Sequence, residues 1–199
     1  QEAAKKTDVI IVSRSEDKLK AAISTFAKGN HWYISADLSA EGSATQVIEK
    51  VIAKYKQIDV LINSAGVFDE APFTKTPPEK RKMIFALNYH AAEEACYAAL
   101  QQMEKQRVGT IINVSSIAGF KSYKNEAIYG TSKAAINKLT EQLALEYKGT
   151  KIAVLALAPG SVDTPLLRKA LEPNRAFLEK EVFKTFTLDQ YYERILKPE

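Results

Sequence analysis

The sequence contains few of the residues that bind metals or form disulfides. Among its 199 residues there is one cysteine, Cys96, and there are two histidines, His31 and His90. A single cysteine cannot form an intrachain disulfide, and a zinc site built from thiolates needs several cysteines. The sequence therefore predicts neither a disulfide framework nor a metal site.

Long apolar runs and blocks of like charge are also missing. No apolar segment approaches the roughly 18 residues that a transmembrane helix requires, and residues 1–8 lack the apolar core of a signal peptide. The net charge is +4, but Lys and Arg are interspersed with Asp and Glu, as on solvated helix surfaces. A nucleic-acid-binding protein clusters its basic residues instead. We therefore predict a cytoplasmic protein that binds neither membranes nor nucleic acids.

Short apolar segments alternate with segments of helical periodicity, which is typical of an α/β domain. Strands are predicted at 8–13, 31–35, 58–62, 109–114 and 151–157, and helices at 15–27, 44–55, 77–106 and 127–147. Strands that alternate with helices form a parallel sheet through right-handed crossovers. The predicted fold class is thus a doubly wound, Rossmann-like parallel sheet in one domain over residues 1–199, which is an ordinary single-domain length.

Local signals add detail to the helix predicted at 77–106. Thr76 is expected at its N-cap, Pro77 at its first position, and Glu79 in a capping box with Thr76. Within the helix, Glu93 and Glu94 are expected on a solvated face. Cys96 is expected to pack as a small apolar residue.

Small and polar residues follow the predicted strands, at the edge where parallel sheets bind their ligands. They are Arg14, Asp37 and Leu38, the segment NSAG (63–66), Ser115 and Ser116, and the segment PGSVDT (159–164). Because the carboxyl ends of parallel strands share one edge, these residues predict a ligand site there.

Tyr129 and Lys133 are four residues apart on a predicted helix and therefore share one of its faces. A phenol has an ordinary pKa of about 10, and a nearby ammonium lowers that pKa by favouring the phenolate. The pair could therefore act as an acid or base near neutral pH. Tyr147 and Lys151 have the same spacing, but the helix is predicted to end between them. Ser116, a serine that directly follows a strand upstream of Tyr129, distinguishes the pair Tyr129 and Lys133 from the pair Tyr147 and Lys151.

The sequence resembles the short-chain dehydrogenase/reductase family over residues 7–166. The matching segments are VSR (12–14), ADL (36–38), NSAG (63–66), Asn88 within FALNYHA, INVSSIAG (112–119), YGTSK (129–133) and PGSVDT (159–164). Their order and spacing agree with the family. The resemblance implies an NAD(P)(H)-dependent oxidoreductase of the carbonyl reductase type, which interconverts an alcohol and a carbonyl of a small molecule by hydride transfer.

The resemblance also implies the roles of four catalytic residues. Tyr129 exchanges a proton with the substrate oxygen, and Lys133 binds the nicotinamide ribose and lowers the pKa of Tyr129. Ser116 hydrogen-bonds the reacting oxygen, and Asn88 helps to hold a water that leads from Lys133 to solvent. Two hydroxyl donors aimed at a carbonyl that accepts hydride would stabilise the negative charge that develops on its oxygen.

A further set of residues is implied to contact the cofactor. These are Arg14, Asp37 and Leu38 on the adenosine side, Asn63, Ala65 and Gly66 beneath the cofactor, Tyr129 and Lys133, and Pro159, Gly160, Val162 and Thr164 beside the nicotinamide. Arg14 lies where an arginine suits a 2′-phosphate, which favours NADP(H) over NAD(H). The alternative is that Arg14 is an ordinary solvated residue.

The family pattern is incomplete at both ends of this sequence. No two of the eight glycines are close enough to form the glycine-rich turn that cradles a pyrophosphate. A first strand, its turn and most of a helix are expected before residue 2, and a last strand after residue 199. The first strand would lie between the strands at 8–13 and 58–62. We therefore expect the sheet to be split there, and the natural protein to be longer than 199 residues.

Two questions stay open at this stage. The aromatic residues of the tail (Phe177, Phe183, Phe186, Tyr191 and Tyr192) fit either a substrate lid or packing in the core or between subunits. The alternatives to an enzyme are a catalytically silent binding protein, or a truncated form that acts through oligomerisation. The helices at 77–106 and 127–147 match those that pair between subunits in the family, which implies a homodimer or homotetramer.

Overall fold

The computed structural model describes residues 7–163 together with residues 168, 172 and 175. Strands and helices alternate along this part of the chain, as the sequence predicts. Their order is β1 (Ile10–Ser13), α1 (Glu16–Ile23), β2 (Trp32–Ser35), α2 (Ser43–Tyr55), β3 (Val60–Asn63), α3 (Pro78–Phe85), α4 (Ala91–Gln106), β4 (Gly109–Val114), α5 (Ala127–Glu146) and β5 (Ile152–Leu157). Within residues 7–163, no helix combines the length and the apolar character that crossing a bilayer requires.

The strands form two parallel sheets. β1 pairs with β2, from Ile10 opposite Trp32 to Ser13 opposite Ser35. β4 lies between β3 and β5 in the second sheet, where Ile111 is opposite both Leu61 and Val154. No ladder joins β1 to β3 within the residues that the structure describes. The predicted split of the sheet between these two strands is confirmed.

One hydrophobic core spans both sheets. Helix α2 contributes Val47, Ile48 and Val51, and helix α4 contributes a row of alanines with Cys96 and Met103. Cys96 is 1% exposed, which confirms that it packs as a core residue. No strand pairing joins the two sheets within residues 7–163. Since burial of one aliphatic side chain is worth about 1.5–3 kcal/mol, this shared core holds the two sheets together.

The strands of the second sheet alternate in exposure. Ile111 and Val154 face the helices and are buried, whereas Ile62, Leu155 and Leu157 are each more than half exposed. The described helices α4 and α5 therefore cover one face of this sheet, and this face carries the core.

The start of helix α3 differs from its prediction. Its N-cap is Pro77, and Thr76 belongs to the end of a 3₁₀ turn over Phe73–Lys75. The Thr76 hydroxyl donates to the carbonyl oxygen of Pro72, so it is not available to cap the helix. The predicted capping box is therefore wrong, because the turn before the helix already uses both the side chain and the backbone N–H of Thr76.

The helical segment between α3 and α4 contains a π-helical turn at Ala86–His90. The sequence predicts an uninterrupted helix over 77–106, and the turn divides it into α3 and α4. Glu94, near the start of α4, is also not simply solvated. One of its carboxylate oxygens accepts a hydrogen bond from Gly42 N at 2.9 Å, and the other is buried. Glu94 therefore caps the N-terminus of α2, where a helix favours negative charge.

Candidate active site

The loops that follow β4 and β5 continue side by side at the carboxyl edge of the sheet. Ser115 N donates to the carbonyl oxygen of Leu157 at 2.7 Å, and Ile117 N donates to that of Pro159 at 3.0 Å. These bonds extend the β4–β5 ladder beyond the last strand residues and hold Ser116 at the edge. Ser116 is extended and starts a 3₁₀ turn over Ile117–Gly119, and its hydroxyl oxygen accepts from Ala118 N at 3.1 Å.

Two glycines allow this turn to lie directly against helix α5. A Cβ atom on Gly119 would lie 2.8 Å from the backbone oxygen of Lys133, and one on Gly130 would lie 3.0 Å from that of Ala118. The contact at Gly119 is too short for a side chain and the one at Gly130 is tighter than most Cβ contacts, so the close approach depends on glycine at 119 and is eased by glycine at 130. The backbone that carries Ser116 is therefore fixed against the helix that carries Tyr129 and Lys133.

The Tyr129 side chain is partly buried between Ser116 and the loop that follows β3. Its ring meets the Phe68 ring edge to face, with the centroids 4.8 Å apart. Burial raises the pKa of Tyr129, a hydrogen-bonding interaction with the Ser116 side chain lowers it, and the charge of Glu126 raises it further. Burial is the largest of these effects. The phenol is therefore protonated at neutral pH and can donate a proton.

Lys133 is buried, with 6% of its surface exposed. Its Nζ donates to the carbonyl oxygen of Val114 at 2.9 Å and lies 5.9 Å from the centroid of the Tyr129 ring. Burial lowers the pKa of Lys133 to about 8. The prediction that Lys133 lowers the pKa of Tyr129 stays a prediction, because the net shift of that pKa is upward and burial of the phenol is its largest cause. The ammonium binds the end of β4, and desolvation of the phenol determines the direction of the shift.

Asn88 lies in the π-helical turn and is 2% exposed. Its Oδ1 accepts from Val67 N at 2.8 Å, and its Nδ2 donates to the carbonyl oxygen of Val67 and to Ser132 Oγ at 2.9 and 3.0 Å. Ser132 Oγ in turn donates to the carbonyl oxygen of Tyr129 at 2.7 Å. The side chain of Asn88 therefore joins the loop after β3 to helix α5. The water expected near Asn88 stays a prediction.

Asn63 lies on the buried side of β3 and takes part in a polar network. Its Nδ2 donates to Asn113 Oδ1 at 2.9 Å, and Asn113 Nδ2 donates to Thr140 Oγ1 at 2.9 Å. Asn113 is fully buried. The network links β3, β4 and α5, and the predicted contact of Asn63 with the cofactor stays a prediction. Asn113 was not among the predicted site residues, although a polar residue inside the apolar strand at 109–114 was a signal for it.

The residues implied to bind the cofactor form two groups. Arg14 and Asp37 lie together at the β1–β2 sheet, where Ser35 Oγ donates to the carbonyl oxygen of Arg14 at 3.2 Å. Hydrogen bonds from the Ser39 hydroxyl and backbone lower the pKa of Asp37, and the charge of Arg14 adds to this effect. Arg14 and Asp37 are both exposed, whereas Leu38 packs against the core.

The second group follows β3 and β5, and its Gly66 lies beside Lys133. A Cβ atom on Gly66 would be 3.2 Å from Asn88 Oδ1 and 3.6 Å from Lys133 Nζ, whereas one on Gly160 would have open space to 3.9 Å. Ala65 is exposed, and Val162 forms an isolated β-bridge. Thr164 and the tail aromatics from Phe177 onward lie outside the described residues, so their predicted roles stay predictions.

Comparison with known proteins gives consistent results. The sequence profile of the family described as short chain dehydrogenase matches residues 1–175. An uncharacterized oxidoreductase from Staphylococcus saprophyticus is 31% identical over 175 residues, which cover 83% of this chain and 75% of that protein.

Solved structures show the same fold. The structure of ElxO with NADP bound is similar with a TM-score of 0.78 and 29% identity, over 87% of this chain and 71% of that chain. An NAD⁺-bound xylitol dehydrogenase has a TM-score of 0.77 at 23% identity, over 93% of this chain and 81% of that one. The latter is a likeness of fold alone. These matches confirm the Rossmann-like α/β fold.

Proposed function

The chain belongs to the short-chain dehydrogenase family, and on this premise we propose that it is a nicotinamide-dependent oxidoreductase that interconverts an alcohol and a carbonyl. Tyr129 acts as the proton donor and acceptor. The observation that carries the proposal is the grouping of Tyr129 with the Ser116 side chain and the buried Lys133 at the carboxyl end of β4.

The two hydroxyl groups provide the polar chemistry of the reaction. In the reduction direction, the Tyr129 phenol donates its proton to the substrate oxygen, and the Ser116 hydroxyl donates a hydrogen bond to the same oxygen. Because burial favours the neutral phenol, the proton is in place at neutral pH. The low-polarity setting created by Phe68 strengthens both hydrogen bonds as charge develops on the oxygen.

Lys133 contributes a cation close to the phenol. The depressed pKa of about 8 means that the side chain is mostly charged at neutral pH and can lose a proton just above it. A cation at this distance from the ring stabilises the phenolate that remains after proton donation. Lys133 is thus suited to support proton return to Tyr129 between turnovers.

The residues present fit a nicotinamide nucleotide, which supplies or accepts the hydride when it is bound. Gly160 has open space around its Cα, with no neighbour of an added Cβ closer than 3.9 Å, and Gly66 lies beside Lys133; Lys133 would hold the ribose next to the nicotinamide. Arg14 would bind the adenosine side, because its exposed guanidinium at the end of β1 suits a 2′-phosphate. We therefore favour NADP(H), the form found in the similar ElxO structure. A homo-oligomer in the cytoplasm stays a prediction.

The proposal is tested by NADPH oxidation with a panel of ketones and aldehydes. Loss of a positioned general acid costs about 10²–10⁴-fold in rate, so Tyr129→Phe should lower kcat by at least about 100-fold. Tyr147→Phe is the matched control, because Tyr147 also precedes a lysine by four residues but donates to Glu104 Oε1, away from Ser116. Full turnover by Tyr129→Phe, or no turnover of any carbonyl by the unmodified chain, would contradict the proposal.

A further inference from the structure

Glu126 lies one helical turn before Tyr129. It occupies the N-cap of α5, where its backbone oxygen accepts from Gly130 N at 2.7 Å and its side chain makes no cap hydrogen bond. Residues three apart near the start of a helix lie on neighbouring positions of one face. The Glu126 carboxyl therefore starts within one turn of the phenol, and its charge acts on Tyr129.

A second carboxyl is brought to the same place by the loop after β3. Ala71 N donates to the carbonyl oxygen of Asn125 at 2.8 Å, which sets Glu70 beside Glu126. Three residues before Ala71, the Phe68 ring contacts the Tyr129 ring at 4.8 Å. The segment from Phe68 to Ala71 therefore runs along the first turn of α5, and both carboxyls are partly buried next to the phenol.

The two carboxyls have no paired cation among residues 7–163. Within residues 7–163, neither Glu70 nor Glu126 has a salt bridge or a side-chain hydrogen bond. The nearby cations are engaged or exposed: Lys80 pairs with Asp69 at 2.5 Å and Lys133 binds the carbonyl oxygen of Val114, while Lys121 and Lys124 are exposed on the loop before α5. Two partly buried carboxyls without a counter-ion disfavour simultaneous ionisation.

The charge of Glu70 affects the pKa of Glu126, and the charge of Glu126 affects the pKa of Tyr129. Burial and the charge of Glu70 raise the pKa of Glu126 to about 7, and burial raises the pKa of Glu70. The charge of Glu126 in turn raises the pKa of Tyr129. The Tyr129 phenol is thus a stronger acid when Glu126 is neutral and a weaker acid when Glu126 is ionised.

We propose that Glu126 is a positioning residue whose charge, controlled by the neighbouring Glu70, sets the acid strength of Tyr129 during proton transfer. This inference rests on the proposed function of Tyr129. It means that carbonyl reduction slows when Glu126 loses its proton, because a weaker acid donates its proton more slowly.

The test is the pH dependence of single-turnover carbonyl reduction by the full chain with NADPH. In the unmodified protein, the rate should fall about twofold to threefold in a step centred near pH 7, where Glu126 ionises. Glu126→Gln should remove this step and match the unmodified rate below it. Glu70→Gln should move the step to lower pH, because the repelling charge is gone. Glu49→Gln, an exposed change on α2, should leave the step unchanged.

A measurement without turnover separates this inference from the proposed function. In a ¹³C-tyrosine-labelled chain, the Tyr129 signal is identified by its loss in Tyr129→Phe, and its shift is followed from pH 5 to 9. We expect a transition near pH 7 that is absent in Glu126→Gln. If the transition persists in Glu126→Gln, the inference is overturned whatever the activity. If the transition behaves as expected but no carbonyl is reduced, the proposed function fails and the electrostatic link between Glu126 and Tyr129 stands.

Discussion

Replacing Lys133 by methionine should stabilise the fold while it abolishes catalysis. Burial lowers the pKa of Lys133 from its ordinary value of 10.5 to about 8. At 1.36 kcal/mol per pH unit, this corresponds to a cost of about 3 kcal/mol for keeping the folded side chain charged. The hydrogen bond from Nζ to the Val114 carbonyl oxygen is a charge-assisted bond, and its loss removes about 1.5 kcal/mol or somewhat more. Methionine fills a similar volume without charge, so we expect a net stabilisation of about 1–2 kcal/mol at pH 7.

The pH dependence of this effect has a definite sign. Between about pH 8 and 10.5 the unfolded chain binds more protons at Lys133 than the folded chain does, so the free energy of unfolding rises with pH in that window. The cost is fully present below pH 8 and is relieved above pH 10.5. The advantage of Lys133→Met should therefore be largest near pH 7 and disappear above pH 10.

Urea denaturation of the two proteins at pH 7 and pH 9.5 provides the measurement. Lys138→Met is the control, because Lys138 is exposed on the same helix and pairs with Glu141 at the surface. The reasoning would be refuted if Lys133→Met were less stable than the unmodified chain at pH 7, or if its advantage increased with pH. NADPH oxidation by the same preparation should be lost.

Two further predictions concern backbone contact and cofactor choice. Gly119→Ala should destabilise the fold by about 1–3 kcal/mol and lower kcat, since its Cβ would lie 2.5 Å from Asn137 Nδ2 and 2.8 Å from the Lys133 backbone oxygen. Thermal denaturation checks this against Gly160→Ala, whose Cβ would have no neighbour closer than 3.9 Å, and equal loss in both variants would contradict the packing argument. Arg14→Ala should raise the KM for NADPH about tenfold, as expected for loss of one charged contact, and leave the KM for NADH nearly unchanged. Equal changes in both KM values would show that Arg14 does not bind a 2′-phosphate.

The order of strands and helices could be predicted because each depends on local patterns. The apolar strand at 109–114 begins with a glycine and precedes two serines, and its observed bounds agree with the prediction. The split of the sheet also followed from the sequence, because the strands at 8–13 and 58–62 match positions that flank a third strand in related proteins. Family motifs identified Ser116, Tyr129 and Lys133, which the structure brings to one edge.

The features that could not be predicted depend on residues far apart in the chain. Glu94 caps α2 through Gly42, a partner 52 positions away, and no local pattern carries that information. Thr76 is occupied by the preceding turn, which competes with the capping box. The direction of the pKa shift of Tyr129 depends on how deeply the phenol is buried, whereas the spacing to Lys133 indicates only that a cation is near. Side-chain electrostatics therefore required the structure.

The π-helical turn at Ala86–His90 has a consequence for how the long helical segment meets its neighbours. One additional residue in a turn rotates every later side chain by about 100° around the helix axis. Helices α3 and α4 consequently bury different angular sectors: Ile84 points inward before the turn, and the alanine row with Cys96 points inward after it. Asn88 lies at the change of phase, where the widened backbone turns its amide toward Val67 and Ser132. Shortening this turn by one residue would rotate the Asn88 amide away. The hydrogen bonds that join the loop after β3 to the helix bearing Tyr129 would then be lost.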